Sequence, residues 1–157
     1  MKTIIISGMT KDRTIGKGIN LPWHIPSDLQ NFKDLTDGNT VIMGLATFQS
    51  LNNKPLPNRN NVILSFDKME VEGADVCYSI DEGWDRAKTY GKDIFIMGGA
   101  SIYKQFLDKA DYMYLSHIKK DYEGDVYFPE WNDEDWEIES RKDMGEFEFV
   151  VYKRKTN

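Results

Sequence analysis

The feature that most constrains this chain is the alternation, over its first 110 residues, of short apolar runs with helical patterns. The runs are rich in β-branched residues and predict strands at 3–7, 40–43, 62–64, 76–78 and 94–97. Apolar residues recur with helical spacing at 26–35, 45–51, 80–90 and 98–107. Continuously apolar strands that alternate with helices are typical of a parallel sheet covered on both faces. The pattern therefore predicts an α/β fold.

The last third of the chain has a different pattern. Three strand-like runs follow Ala110, at 113–118, 136–139 and 147–152, with no helical spacing between them. Strands that follow one another without helices indicate antiparallel pairing. The length of 157 residues and the absence of a linker-like segment predict one domain over 1–157. Residues 8–25 are interpreted as a long loop, and Asp81 as the N-cap of the helix at 80–90.

The composition excludes several classes of partner. The formal net charge is −6, whereas a general nucleic-acid binder needs a basic surface. The single cysteine, Cys77, allows no intrachain disulfide and is interpreted as a small buried side chain. No signal peptide is recognisable, and no apolar run approaches the roughly 20 residues of a membrane span. We therefore expect a cytoplasmic protein that binds neither nucleic acid nor a membrane.

One segment, residues 21–33, carries most of the functional information. Its second proline, Pro26, suits the first turn of a helix because proline has a fixed φ and no N–H to leave unpaired. Ser27 and Gln30 have the spacing of a capping box. Asp28, Phe32 and Leu35 then fall on one helix face, with Leu29 beside them. A carboxylate is thus predicted on the apolar stripe.

Two interpretations of Asp28 stay open at this point. Acidic residues are common in a first helical turn because they complement the helix dipole. Alternatively, Asp28 lies in an apolar pocket and binds a ligand with paired N–H donors, because an unpaired buried charge costs several kcal/mol.

The turns that follow the predicted strands offer further candidate residues. Gly98 and Gly99 form a strand-to-helix turn that suits either an anion cradle or a tight turn. Gly44, with the Thr47 hydroxyl one turn later, offers a second helix start. Arg59 follows the stiff segment 55–58. It is either a residue that binds a carboxylate in a bidentate manner or a solvent-exposed loop arginine. The two histidines, at 24 and 117, lack the oriented partners of catalysis and are interpreted as structural.

Together, these segments resemble the dihydrofolate reductase family over nearly the whole chain. The matching motifs share the family's order and spacing and lie at 12–16, 21–23, 26–33, 41–47, 55–60, 96–103, 114–118 and 123–129. The resemblance implies an eight-stranded, mostly parallel sheet with an antiparallel C-terminal strand and about four flanking helices. It also implies hydride transfer from NADPH to C6 of dihydrofolate with protonation at N5, a reaction that serves one-carbon and thymidylate metabolism. Antifolate binding, a monomeric state and no metal are expected.

The resemblance implies a set of substrate-site residues. Asp28 would bind the pterin 2-amino group and N3, with Ser116 supporting it, and Arg59 would bind the glutamate carboxylate. Trp23 would fix the lid loop at 16–21, and Tyr103 would lie near the nicotinamide. The expected catalytic group is Asp28, Trp23, Tyr103 and Ser116. The expected substrate-binding group is Ile6, Ser7, Asp28, Leu29, Phe32, Lys33, Leu51, Arg59, Met97 and Ser116.

The resemblance also implies a cofactor site, with a cis peptide between Gly98 and Gly99. Its expected members line the turns after the first, second, third and fifth strands and the start of the lid. They are Ser7, Ile15, Gly16, Leu21, Gly44, Leu45, Ala46, Thr47, Leu64, Ser65, Phe66, Met97, Gly98, Gly99, Ala100, Ser101, Ile102 and Tyr103.

The cofactor half departs from the family pattern at three places. Where the family usually carries basic residues, this chain has Leu45 and Ala46, and later Ser101; where the family carries polar or basic residues after the third strand, this chain has Ser65 and then Phe66. Compensation by Lys54 or Lys68 stays open. Since a charge-assisted hydrogen bond contributes about 1.5–3 kcal/mol, the sequence predicts a weakened preference for NADPH over NADH. Two rival hypotheses are the pyrimidine reductase of riboflavin biosynthesis, which shares the fold, and a non-catalytic homologue with a structural or binding role.

Overall fold

A computed structural model describes residues 1–156 and shows the predicted α/β architecture. The main sheet contains β1 (Thr3–Met9), β3 (Thr40–Gly44), β4 (Asn60–Leu64), β5 (Asp75–Cys77), β6 (Ile94–Ile96), β7 (Tyr112–Ile118), β9 (Trp136–Asp143) and β10 (Phe147–Arg154). A second sheet pairs β2 (Thr14–Gly16) with β8 (Val126–Tyr127). The helices are α1 (Pro26–Thr36), α2 (Leu45–Ser50), α3 (Ile80–Lys88) and α4 (Ala100–Phe106), with a 3-10 turn at Asp133–Asp135.

The strand order of the main sheet is β5-β4-β3-β6-β1-β7-β10-β9. The pairs from β5 to β7 are parallel, and β10 is antiparallel to both of its neighbours. The central strands are buried on both faces because helices and crossover segments cover them, which explains their continuous apolar sequences. The prediction of a mostly parallel sheet with an antiparallel C-terminal strand is confirmed.

The segment predicted as a long loop contains regular structure. Within residues 8–25, β1 continues to Met9 and Thr14–Gly16 forms β2. A strand of three residues is too short to show the alternation that identifies strands in a sequence. The loop interpretation of the whole segment was therefore wrong.

Two predicted helix caps are also wrong. Helix α1 has Ile25 as its N-cap with no side-chain cap, so Ser27 lies inside the first turn and forms no capping box with Gln30. Helix α3 is capped by Ser79, whose hydroxyl accepts a hydrogen bond from the Glu82 N–H at 3.1 Å. Asp81 lies two residues after this cap, inside the first turn. In both cases the helix begins earlier than its most obvious capping residue.

None of the helices within residues 1–156 is long and apolar enough to cross a membrane. Cys77 ends β5 as a buried residue of the core, as predicted, and burial raises the pKa of its thiol.

Candidate active site

The candidate residues gather at the edge of the sheet where the parallel strands have their carboxyl ends. The chain passes there from β3 directly into α2 and from β6 through a short turn into α4, and β1 ends there beside β6 and β7. Open parallel sheets bind ligands outside the carboxyl ends of their strands. The topology thus places the glycine turns and the start of α1 near one another.

Asp28 lies half-buried in the first turn of α1, where its N–H donates to the Ile25 carbonyl at 3.0 Å. Burial raises the pKa of its carboxyl above the ordinary value. The Ser116 hydroxyl and the Trp23 indole lie close enough to oppose part of that rise. Ser116 is buried on β7, opposite Gly8 of β1. The carboxylate is therefore partly desolvated, with polar groups close to it.

The sheet backbone makes room for this arrangement at Gly8. A Cβ at Gly8 would lie 3.0 Å from Cζ2 of Trp23 and 3.3 Å from Oδ2 of Asp28. A side chain there would push both groups away from the sheet. The indole nitrogen of Trp23 is buried and completes no hydrogen bond with any group in residues 1–156. This N–H is thus an unsatisfied donor beside the carboxylate.

Tyr103, on α4, connects the helix to the end of β1. Its buried hydroxyl donates to the Ile6 carbonyl at 2.7 Å, and its ring stacks on Phe128 with centroids 5.0 Å apart. Burial raises the pKa of the phenol; Ser7 opposes this rise, and the charge of Asp28 adds to it. Tyr103 is therefore a neutral donor in the same electrostatic environment as Asp28.

The turn between β6 and α4 is a backbone junction with little space for side chains. The peptide between Gly98 and Gly99 is cis, as the family resemblance implies. A Cβ at Gly98 would lie 3.3 Å from the Tyr103 hydroxyl and 3.4 Å from Oγ1 of Thr47. The Gly98 carbonyl accepts from the Gly44 N–H at 2.8 Å, which joins the ends of β6 and β3. The turn leaves no room for a side chain at Gly98, so a ligand can approach the backbone closely.

Arg59 is fixed at the far end of α1 from Asp28. Its Nε donates to the Pro57 carbonyl and its Nη1 to Oγ1 of Thr36, both at 2.9 Å. The Asn61 amide pairs with both backbone groups of Leu56, which stiffens the loop as predicted. Partial burial lowers the pKa of Arg59, and Asp37 counteracts this effect. A guanidinium held in this way is suited to bind a carboxylate.

Apolar side chains connect these two charges. One core cluster includes four of the predicted substrate-binding residues, Ile6, Phe32, Leu51 and Met97. Leu29 is 47% exposed and Lys33 is also exposed, so neither belongs to that cluster. Leu29 is thus largely exposed near the start of α1, and its role in substrate binding stays a prediction.

The predicted lid is fastened to the small sheet. Gly18 N donates to Oδ1 of Asp125 at 2.9 Å, and Asp125 N donates to the Gly16 carbonyl at 3.0 Å. A Cβ at Gly124 would overlap the Gly16 carbonyl oxygen, so this crossing requires glycine. Trp23 lies at the end of the lid against Tyr122, with ring centroids 5.8 Å apart.

The remaining predicted cofactor residues lie in β2, in the lid, and at or after the ends of β3, β4 and β6. Ile15 and Leu64 are core residues, Ile102 packs against the core, and Leu21, Ala46, Phe66 and Ser101 are exposed. The Ser65 hydroxyl is buried and bonds to both backbone groups of Asp67, so it serves the turn.

Sequence reasoning missed three residues that build the site. Gly8 provides space, Thr36 orients Arg59, and Phe128 supports Tyr103. A glycine inside a strand pattern is a signal of close backbone approach, so Gly8 could have been found. Thr36 and Phe128 act through contacts distant in sequence. His117 bonds to the Tyr152 hydroxyl at 2.9 Å, and burial lowers the pKa of its imidazole, which agrees with a structural role.

Comparison with known proteins identifies the family. The family model described as dihydrofolate reductase matches residues 2–154. A dihydrofolate reductase of Staphylococcus aureus strain Mu50 is 43% identical over 129 residues, which covers 82% of this chain and 78% of the relative. One from Bacillus subtilis strain 168 is 36% identical, with 97% of this chain and 94% of the relative covered.

A solved structure gives the same result. Dihydrofolate reductase from Enterococcus faecalis, complexed with NADP(H) and RAB-propyl, superposes with a TM-score of 0.91 at 31% identity. The superposition covers 99% of this chain and 97% of that one. The chain described here belongs to the dihydrofolate reductase family.

Proposed function

We propose that this protein reduces 7,8-dihydrofolate to 5,6,7,8-tetrahydrofolate with NADPH as the hydride donor. The observation that carries the proposal is the partly desolvated Asp28 carboxylate, with Ser116 and Trp23 beside it and Tyr103 within reach of its charge. The pterin ring of dihydrofolate carries adjacent N–H donors that a carboxylate can accept as a pair. This pairing would orient the ring across the end of β1.

The far end of the substrate would be held by Arg59. A glutamate carboxylate suits the guanidinium that Thr36 and the Pro57 carbonyl orient. Between the two charges, Phe32 and Leu51 present apolar side chains to the pterin and benzoyl rings. The charged groups thus match the two polar ends of a folate, and the apolar wall matches its middle.

The turns at Gly44 and Gly98–Gly99 fit a nicotinamide dinucleotide. Space for side chains is lacking at Gly98, and both α2 and α4 begin at a glycine N-cap without a side-chain cap from residues 1–156. Backbone N–H groups there can bind phosphate oxygens. When bound, the reduced cofactor supplies the hydride.

The chain's own groups would then assist protonation. Asp28 stabilises positive charge on the pterin, and the proton reaches N5 through water, since no second acid is assigned near N5. Tyr103 keeps the Ile6 carbonyl fixed and stays protonated because it is buried. Closure of the segment 16–21, anchored through Asp125, excludes bulk water from the reacting atoms.

The preference between cofactors is proposed to be weak. Leu45, Ala46 and Ser101 offer no cation to the 2′-phosphate of NADPH, and the Ser65 hydroxyl is used within its own turn. We therefore expect NADH to support turnover as well. The protein is proposed to act as a monomeric, single-domain enzyme that binds antifolates at the Asp28 site.

A turnover assay tests the function. Purified protein is mixed with dihydrofolate and either NADPH or NADH, and cofactor oxidation and tetrahydrofolate formation are followed. A parallel reaction contains the pyrimidine substrate of riboflavin biosynthesis. Production of tetrahydrofolate is expected, with no turnover of the pyrimidine. Absence of turnover with both cofactors would reject the enzyme function and favour a non-catalytic role.

A further inference from the structure

Phe66, one of the residues expected at the cofactor site, has a side chain whose exposure no contact described so far explains. It is 103% exposed, the highest value among the large hydrophobic side chains of residues 1–156. Its position, two residues after the end of β4, lies at the ligand-binding edge of the sheet. An aromatic ring left wholly in water forfeits the free energy of burial, which a bound ligand with an apolar face can recover.

The backbone holds Phe66 in this outward position. The Ser65 hydroxyl donates to the Asp67 carbonyl at 3.0 Å and accepts from the Asp67 N–H at 3.1 Å. This pair of bonds closes a tight turn around residue 66. The hydrogen bonds between the two flanking residues therefore fix the backbone of Phe66, and its ring extends into solvent.

The strand register places one residue with an apolar side chain or ring on each side of the Phe66 turn. Gly44 pairs with Leu64, so Leu45 lies beside the start of the Ser65 turn. The Ser65 N–H donates to the Cys77 carbonyl at 2.9 Å, which places Tyr78, 43% exposed, on the other side. We call Leu45, Phe66 and Tyr78 the apolar strip.

Charge is nearly absent from the segments that form this strip. Residues 44–47, 65–68 and 78–79 contain one cation, Lys68, and it follows the carboxylate of Asp67 directly. A phosphate group would find no net positive charge there. A flat, uncharged aromatic base would find a ring to stack on.

We propose that Phe66 is an adenine-binding residue of the cofactor site, and that its ring stacks on the adenine of the dinucleotide. This inference rests on the proposed function. The strands β6, β3 and β4 are adjacent, so about 10 Å separates the end of β6 from that of β4. A dinucleotide extended along this edge from Tyr103 carries its adenosine end toward the apolar strip. Stacking does not depend on the 2′-phosphate, so it favours NADPH and NADH equally.

Dissociation constants test the proposal. Binding of NADPH, NADH and nicotinamide mononucleotide, which lacks adenine, is measured by calorimetry for wild-type protein, Phe66→Ala, Phe66→Trp and Ile138→Ala. Ile138 is the matched control because it is an exposed apolar residue, 46% accessible, on the distant strand β9. Loss of one base–aromatic stack is expected to raise Kd by about 5- to 150-fold.

The expected result is that Phe66→Ala weakens NADPH and NADH by the same factor and leaves the mononucleotide unchanged. Phe66→Trp and Ile138→Ala should bind like the wild type. An unchanged Kd in Phe66→Ala, a loss confined to NADPH, or failure of Phe66→Trp to bind would overturn the proposal. If wild-type protein still reduces dihydrofolate in that case, the proposed function stands and only the role of Phe66 is rejected. A wild-type protein that binds neither dinucleotide would reject both.

Discussion

The candidate site has a folate half, formed mainly by side chains, and a cofactor half, formed mainly by backbone turns. In the folate half, two charged side chains have polar neighbours: Ser116 and Trp23 lie near the Asp28 carboxylate, and the Thr36 hydroxyl accepts a hydrogen bond from Arg59. In the cofactor half, the backbone turns at Gly44 and Gly98–Gly99 do the shaping, and an exposed phenylalanine stands at the far end. The difference teaches that charge would select the substrate, whereas shape and stacking would hold the cofactor.

The largest effect is expected from Asp28→Asn. The amide cannot stabilise positive charge on the substrate, so kcat/KM for dihydrofolate should fall about 100- to 1,000-fold, the range seen when one preorganised electrostatic group is removed. Steady-state rates give this value, and fluorescence titration should show an unchanged Kd for NADPH. The control is Asp34→Asn, an exposed α1 carboxylate that accepts a hydrogen bond from Gln30. A variant that loses cofactor binding together with catalysis would show that the two halves are not separate.

Arg59→Ala should weaken substrate recognition at the other charge. Loss of a charge-assisted hydrogen bond to the glutamate carboxylate predicts a rise in KM for dihydrofolate of about 10- to 150-fold with little change in kcat. A dihydropterin without the aminobenzoyl-glutamate tail should be reduced equally well by the variant and the wild type. Arg141→Ala removes an exposed ion pair with Glu148 and serves as the control. Equal losses with both substrates would mean that Arg59 only stabilises its loop.

Much of this contrast could be predicted from the sequence. The apolar strands and the glycine turns identified the sheet and its ligand-binding edge, because buried strands are continuously apolar and turns with positive φ favour glycine. The helix caps failed at Ser27 and Asp81, since a cap depends on the residue at which the helix begins. Support for Arg59 from Thr36 comes from across the fold and has no local signature. The Ser65 hydroxyl is used in a hydrogen bond to the Asp67 carbonyl, and the residue type alone does not reveal this.

A charged side chain can be introduced into the cofactor half, so that it also binds its ligand through charge. Leu45→Arg places a guanidinium at the start of α2, beside the turn at Ser65. If the 2′-phosphate lies there, the ratio of kcat/KM values for NADPH and NADH should rise about tenfold or more. Gln49→Arg adds the same charge four residues further along, on the exposed side of α2, and should leave the ratio unchanged. A ratio unaffected by Leu45→Arg would place the phosphate elsewhere.

The smallest effect concerns stability. Burial raises the pKa of Asp28 in the folded state above that of the unfolded chain. The carboxyl therefore favours the folded state while protonated, and this contribution is lost as the pH rises through the folded-state pKa. Without ligand, Asp28→Asn should have the higher free energy of unfolding at neutral pH, and the difference should shrink toward acidic pH. Urea unfolding at several pH values checks this, and a wild-type protein more stable than the variant at neutral pH would contradict the desolvation of Asp28.

One measurement addresses the contrast between the halves most directly. It is kcat/KM of the wild type and of Asp28→Asn, determined with dihydrofolate and each of NADPH and NADH. The wild type is predicted to prefer NADPH by less than about a thousandfold, because Leu45, Ala46 and Ser101 offer the 2′-phosphate no cation for a charge-assisted bond. Asp28→Asn is predicted to lose activity by the same factor with both cofactors. A preference for NADPH of a thousandfold or more, or full activity in Asp28→Asn, would contradict the account.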